Sequence, residues 1–175
     1  MKALLIDLQT KLLPALHENE ALLANSIKLL KGLNLLEVEL LYSEQYPKGL
    51  GSTDEALLPH LQNAKRYEKR EFSCFANEDF MNDIQASNPQ GGELIIFGAE
   101  AHVCVYQTVR DATYSLFDVY IVEECISSRT PQNKALAIDA MKELGASIVS
   151  IEMLLFCMMQ TSTHSKFKEI SALIK

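Results

Sequence analysis

Three residues of this chain could do chemistry together: Cys104, Asp7 and Lys69. Cys104 ends the stretch Gly98-Ala99-Glu100-Ala101-His102-Val103-Cys104. Just before it, the apolar run Leu94 to Phe97 reads as a buried strand that Gly98 ends. A helical pattern begins near His102 and runs to about Ser115. This places Cys104 in the first turn of a helix that follows a strand. There a thiol feels the positive end of the helix dipole and lies near unpaired backbone N–H groups. Both effects favour thiolate, the reactive form. Asp7 lies late in a first strand and Lys69 late in a weak third one. A carboxylate can take a thiol proton, and an ammonium can stabilise the charged forms.

Each residue also has a plainer reading. A cysteine between two valines is an ordinary packing residue. Lys69 sits in the charged run Glu68-Lys69-Arg70-Glu71, the usual mark of a solvated face. An aspartate at a strand end commonly bonds to a nearby loop. Asp7 in an apolar strand is more telling, because a buried carboxylate is costly without a partner. Residue type and position leave both readings open. Of the other cysteines, Cys74 falls shortly after Lys69, while Cys125 and Cys157 lie beside apolar residues and read as structural.

The elements that would position these residues alternate. Strands are expected at Ala3 to Leu8, Val38 to Tyr42, Lys65 to Arg70, Leu94 to Phe97, Val119 to Val122 and Ala146 to Ile151. The third is polar and fits a sheet edge. Helices are expected at Leu22 to Leu33, Glu78 to Ala86, Val103 to Ser115 and Gln132 to Leu144. Asn77 is a plausible cap for the second, and Pro131 and Gly145 bracket the fourth. Two helical stretches follow, near Met153 to Met159 and Ser165 to Ile174. Ser43 to Thr53 holds Pro47, Gly49 and Gly51 and reads as a loop. Several strands are continuous apolar runs, as expected when helices cover both faces. The fold class is therefore α/β: a three-layer sandwich with a six-stranded, mostly parallel sheet and helices on both faces. No linker or repeat interrupts it, so residues 1–175 read as one domain.

Composition narrows the function. The net charge is −7 and no cluster of Lys and Arg appears, which argues against nucleic acid and anionic membranes. No apolar run approaches the roughly 20 residues of a membrane span. The apolar segment Ala3 to Ile6 is broken at once by Asp7, unlike a signal peptide. Four cysteines without a CxxC pair suit a reducing, cytoplasmic compartment. His17, His60, His102 and His164 are scattered without ligand spacing, so neither a metal nor another cofactor is expected. The expected partner is a small-molecule substrate. Met153 to Met159 makes an apolar patch that reads as core or as the interface of a homo-oligomer.

Three pieces of the chain together resemble the isochorismatase-like cysteine hydrolases. They are Ile6-Asp7-Leu8-Gln9, Lys69-Arg70-Glu71-Phe72-Ser73-Cys74-Phe75, and Gly98 through Val105, in the family's order and with similar spacing. Pro47 to Thr53 also resembles a subgroup of isochorismatase-domain proteins of undefined substrate. The resemblance implies Asp7 as general base, Lys69 as its charged partner and Cys104 as nucleophile. It further implies a cis peptide joining Ala99 to Glu100, with the Glu100 and Cys104 N–H groups serving an oxyanion. Ala101 stands where many members have Thr. Ser43-Glu44-Gln45-Tyr46 lacks the histidine of the nicotinamidase metal cluster. The expectation is a hydrolase acting through a covalent intermediate on a small amide, ester or related substrate. A non-catalytic binding protein that keeps the fold is the alternative.

Overall fold

Lys2–Ile6 form β1, buried along its whole length, at the centre of the sheet. The computed structural model describes residues 1–175. The other strands are β2 (Glu39–Gln45), β3 (Lys65–Lys69), β4 (Gly92–Ala99), β5 (Phe117–Ser127) and β6 (Ser147–Val149). Their order is β3-β2-β1-β4-β5-β6, and every neighbouring pair is parallel. The sheet is thus wholly parallel, and polar β3 forms one edge, as its composition suggests. The chain first builds outward from β1 to β3, then returns to the other side of β1 as β4. Ligand sites of open parallel sheets lie at the carboxyl ends of the strands where the order reverses in this way.

Helices α1 (Asn19–Leu35), α2 (Pro47–Leu50), α3 (Glu78–Ser87), α4 (Tyr106–Tyr114), α5 (Pro131–Glu143), α6 (Ile151–Met159) and α7 (Phe167–Ile174) complete the fold. Side-chain caps start three of them. Asn77 accepts from Phe80 N–H at 3.1 Å, Thr130 from Asn133 at 3.2 Å and Ser150 from Met153 at 3.0 Å. Helices α1, α6 and α7 pack together, as do α4 and α5, and the two groups cover the sheet from opposite faces. This cover explains why β1 and β4 are apolar without alternation.

Local structure departs from the sequence reading in places that shape the site. β1 ends at Ile6, so Asp7 lies just beyond the strand. β2 runs on to Gln45, which draws Ser43, Glu44 and Gln45 out of the expected loop, and the rest of that loop holds the short α2. β5 is much longer than Val119 to Val122, and its pairing with β4 shifts between Ile96 and Gly98. Gly98 has φ +119°, and a Cβ there would sit 2.1 Å from the Ile6 carbonyl oxygen. Only glycine lets the two central strands approach this closely beside the site.

Candidate active site

Asp7 follows the last residue of β1 with φ +51°, in the left-handed region that aspartate tolerates better than most residues. Its N–H donates to the Ser43 carbonyl at 3.2 Å, and the Gln9 N–H donates to the Asp7 carbonyl at 2.8 Å. This turn leaves the carboxylate fully buried between β2 and β4. Both its oxygens are occupied. Oδ1 accepts from the Ser43 hydroxyl at 2.7 Å, and Oδ2 accepts from Lys69 Nζ at 2.6 Å. Lys69 ends β3 and reaches across the end of β2, and the side chains of the pair are 1% and 0% exposed. The same ammonium donates to Gln45 Oε1 at 2.8 Å and to the carbonyls of Phe72 at 3.2 Å and Glu71 at 3.4 Å.

Cys104 arrives from the other side of β1. It does not occupy the first turn of an α-helix. Ala101–Val105 form a wider π-helical turn, and α4 begins only at Tyr106. The Val103 and Val105 N–H groups both donate to the Glu100 carbonyl, at 3.0 and 3.2 Å. Such wide turns recur at functional sites. The Ala99–Glu100 peptide bond is cis. Two contacts tie this turn to the segment after β5: His102 Nδ1 to Ser128 Oγ at 2.9 Å, and Arg129 Nε to Glu100 Oε2 at 3.1 Å. Cys104 is buried beside the ion pair, close enough for the Asp7 and Lys69 charges to act on its thiol.

The electrostatics correct the expected thiolate. Burial pushes the Cys104 thiol up to about 12, the Asp7 charge adds to this, and Lys69 opposes it. The Lys69 pKa is raised too, which for an amine favours the charged form. Burial alone would lower its pKa, but the Asp7 charge, with smaller contributions from Cys74 and Cys104, raises it above the ordinary value. At rest the centre holds a carboxylate, an ammonium and a neutral thiol, with no net charge. Ionising the thiol alone would leave a buried net negative charge, which is costly.

Cys74 borders the same centre. Its N–H donates to Thr108 Oγ1 at 3.0 Å, and its side chain is buried. Burial raises that thiol to about 11, so Cys74 is an enclosed thiol near the site rather than an exposed one. Cys125 is buried and its pKa is raised by that burial, whereas Cys157, read from its apolar neighbours as structural, is exposed.

The site thus gathers Asp7, Lys69, Cys104, Ala99 and Glu100 at one end of the sheet. Sequence reasoning missed Ser43 and Gln45, which orient the ion pair, and Gln9, whose amide bonds the Gln45 backbone at 2.8 and 3.0 Å. The available signal was a run of polar residues, Ser43-Glu44-Gln45, directly after the apolar start of β2. No group of three His, Cys, Asp or Glu side chains is placed to hold a metal ion. No helix is long and apolar enough to cross a membrane.

Known proteins match this architecture along nearly the whole chain. The Isochorismatase family protein 1B of Dictyostelium discoideum is 31% identical over 97% of this chain and 83% of its own length. The Isochorismatase domain-containing protein 1 of Danio rerio is 34% identical over 97% of this chain, which spans 59% of that longer protein. A solved structure described as the MAR1 ribonuclease of Caenorhabditis elegans superposes with a TM-score of 0.90 at 30% identity, covering 99% of this chain and 88% of that one. Residues 3–153 match the Isochorismatase domain. The chain belongs to the isochorismatase family, a family of hydrolases.

Proposed function

We propose that the chain is a cysteine hydrolase acting on a small amide, ester or related C–N or C–O substrate. The observation that carries this reading is the buried 2.6 Å contact between Lys69 Nζ and Asp7 Oδ2 beside the Cys104 thiol. Sulfur attacks the electrophilic carbon as its proton passes to Asp7. The displaced electron pair rests on the substrate heteroatom, stabilised by the Glu100 and Cys104 N–H groups. Collapse expels the leaving group, which takes the proton from Asp7, and leaves a thioester or thioimidate on Cys104. Asp7 then deprotonates a water that attacks this intermediate. Breaking the carbon–sulfur bond returns the proton to Cys104. Lys69 holds Asp7 in place through the 2.6 Å ion pair and has no spare proton to donate to the substrate.

An RNA substrate, as the name of the Caenorhabditis structure would suggest, fits this chain poorly. Phosphodiester binding draws on clustered Lys and Arg, while this chain carries 16 of them against 23 Asp and Glu. A cytoplasmic homo-oligomer built from one domain is part of the proposal. It rests on four free cysteines and on Met153, which is exposed on the apolar α6. A screen of small amides and esters, with a short RNA as a further arm, tests the reading. The expected result is product formation and an intact-mass adduct that peptide mapping places on Cys104. Cleavage of RNA alone, or ligand binding without turnover across the screen, would favour the ribonuclease or the non-catalytic alternative.

A further inference from the structure

The Lys69 ammonium has three protons. Asp7 Oδ2 takes one at 2.6 Å, Gln45 Oε1 takes another at 2.8 Å, and the Phe72 and Glu71 carbonyls share the third at 3.2 and 3.4 Å. Of these acceptors only Asp7 is charged and only Gln45 is a neutral side chain. The Gln45 amide is itself fixed. Its Nε2 donates to the Arg70 carbonyl at 2.8 Å, so a flipped amide would set NH2 against the ammonium and oxygen against oxygen. Its backbone is held from the other side, because the Gln45 N–H donates to Gln9 Oε1 at 2.8 Å and Gln9 Nε2 donates to the Gln45 carbonyl at 3.0 Å. Gln9 is fully buried and also donates to the Gly51 carbonyl at 2.6 Å.

We infer that Gln45 is a positioning residue: its side-chain carbonyl holds the Lys69 ammonium against Asp7 and so governs how readily Cys104 gives up its proton. This rests on the roles of Asp7, Lys69 and Cys104 proposed above. The reason is geometric. An ammonium this deeply enclosed stays protonated and in place only while each proton has an acceptor. The titratable groups around it are Asp7 after β1, Cys74 and Glu71 after β3, and Cys104 from the π-helical turn. The two thiols and Asp7 depend on the position of the ammonium, and Gln45 is the uncharged side chain that fixes it. Without its oxygen the ammonium turns away or loses its proton, and the thiolate of Cys104 loses its counter-charge.

A double-mutant cycle on Cys104 alkylation tests this without a known substrate. Iodoacetamide is the probe, and the labelled Cys104 peptide is followed by mass across pH. Gln45→Leu should slow labelling at a given pH by about three- to tenfold, a shift of up to about one unit in the profile. Gln45→Asn, which stays polar but falls short of Nζ, should act in the same direction and replaces the leucine variant if that one unfolds. In a Lys69→Met background, or in Asp7→Asn/Lys69→Met if the single variant does not fold, changing Gln45 should have no further effect. An equal slowing in both backgrounds would mean a merely structural role and overturn the inference. So would an unchanged profile in a folded Gln45→Leu protein whose Lys69→Met counterpart is slowed. If folded Lys69→Met keeps the wild-type profile, the roles assigned to the ion pair fail as well.

Discussion

Strand β3 carries two lysines that pair with aspartates at its opposite ends. Lys65 pairs with Asp83 at the amino end, with side chains 58% and 42% exposed. Lys69 pairs with Asp7 at the carboxyl end, with side chains 1% and 0% exposed. The lysines share a strand face, since residues four apart point the same way. Their surroundings differ. Water screens the Lys65 pair, and the Tyr67 hydroxyl donates to Asp83 at 2.9 Å. The Lys69 pair is shut away from the surface, and its remaining partners are Ser43, Gln45 and two backbone carbonyls. One ion pair decorates a surface. The other must be fully satisfied to exist, and apolar side chains of similar size are often as stable in such a place. Its place beside a thiol fits the chemistry proposed above better than a role in stability.

Several changes would break or sharpen this contrast. The largest effect is expected from Lys69→Met, which strands the Asp7 charge in the interior and should cost about 3–5 kcal/mol of unfolding free energy in urea titration. Asp7→Asn/Lys69→Met removes both charges and should cost clearly less than Lys69→Met alone. If the double variant is the less stable one, the pair is a net stabiliser and the contrast with Lys65 weakens.

An intermediate effect is expected at alkaline pH. The folded-state thiol values are raised, Cys104 to about 12 and Cys74 to about 11, against about 8.5 for an unfolded thiol. Above about pH 8.5 the unfolded chain therefore releases protons that the folded chain keeps. The stability these thiols contribute is full below that pH and falls as pH rises through the folded values. Urea titrations at pH 7 and pH 10 should show the loss, and Cys74→Ser should reduce it. An equal loss in the Cys74 variant would mean that this thiol is not enclosed as the structure has it.

The smallest effect belongs to the exposed pair. Lys65→Met should change stability by less than about 1 kcal/mol. A loss as large as that of Lys69→Met would erase the distinction between the two ends of β3.

Much of the scaffold could be read from residue patterns. The apolar runs of β1 and β4 mark strands covered on both faces, and Pro131 and Gly145 bracket α5. The polarity of Lys65-Arg66-Tyr67-Glu68-Lys69 marks an edge. Local features set by long-range contacts could not be read. The left-handed turn at Asp7 depends on Ser43, and the close approach at Gly98 on Ile6. The π-helical turn at Cys104 replaces the expected helix start, and burial, which sequence position does not show, raises the thiol instead of lowering it. Sequence shows that a cysteine follows a strand, but desolvation depends on what the rest of the chain places over it. The same reasoning sets the order of thiol labelling. Exposed Cys157 should react with iodoacetamide before enclosed Cys104, although sequence position alone favours Cys104.

The measurement that bears most directly on the proposed chemistry compares turnover by wild type, Cys104→Ala and Cys74→Ala on whichever small amide or ester the screen identifies. A nucleophile that forms the covalent intermediate cannot be spared. Cys104→Ala should lose about a thousandfold or more of kcat while keeping its fold. Cys74→Ala should stay within about tenfold of wild type, since that thiol only borders the centre. Hydrolysis at the wild-type rate by folded Cys104→Ala would contradict the account.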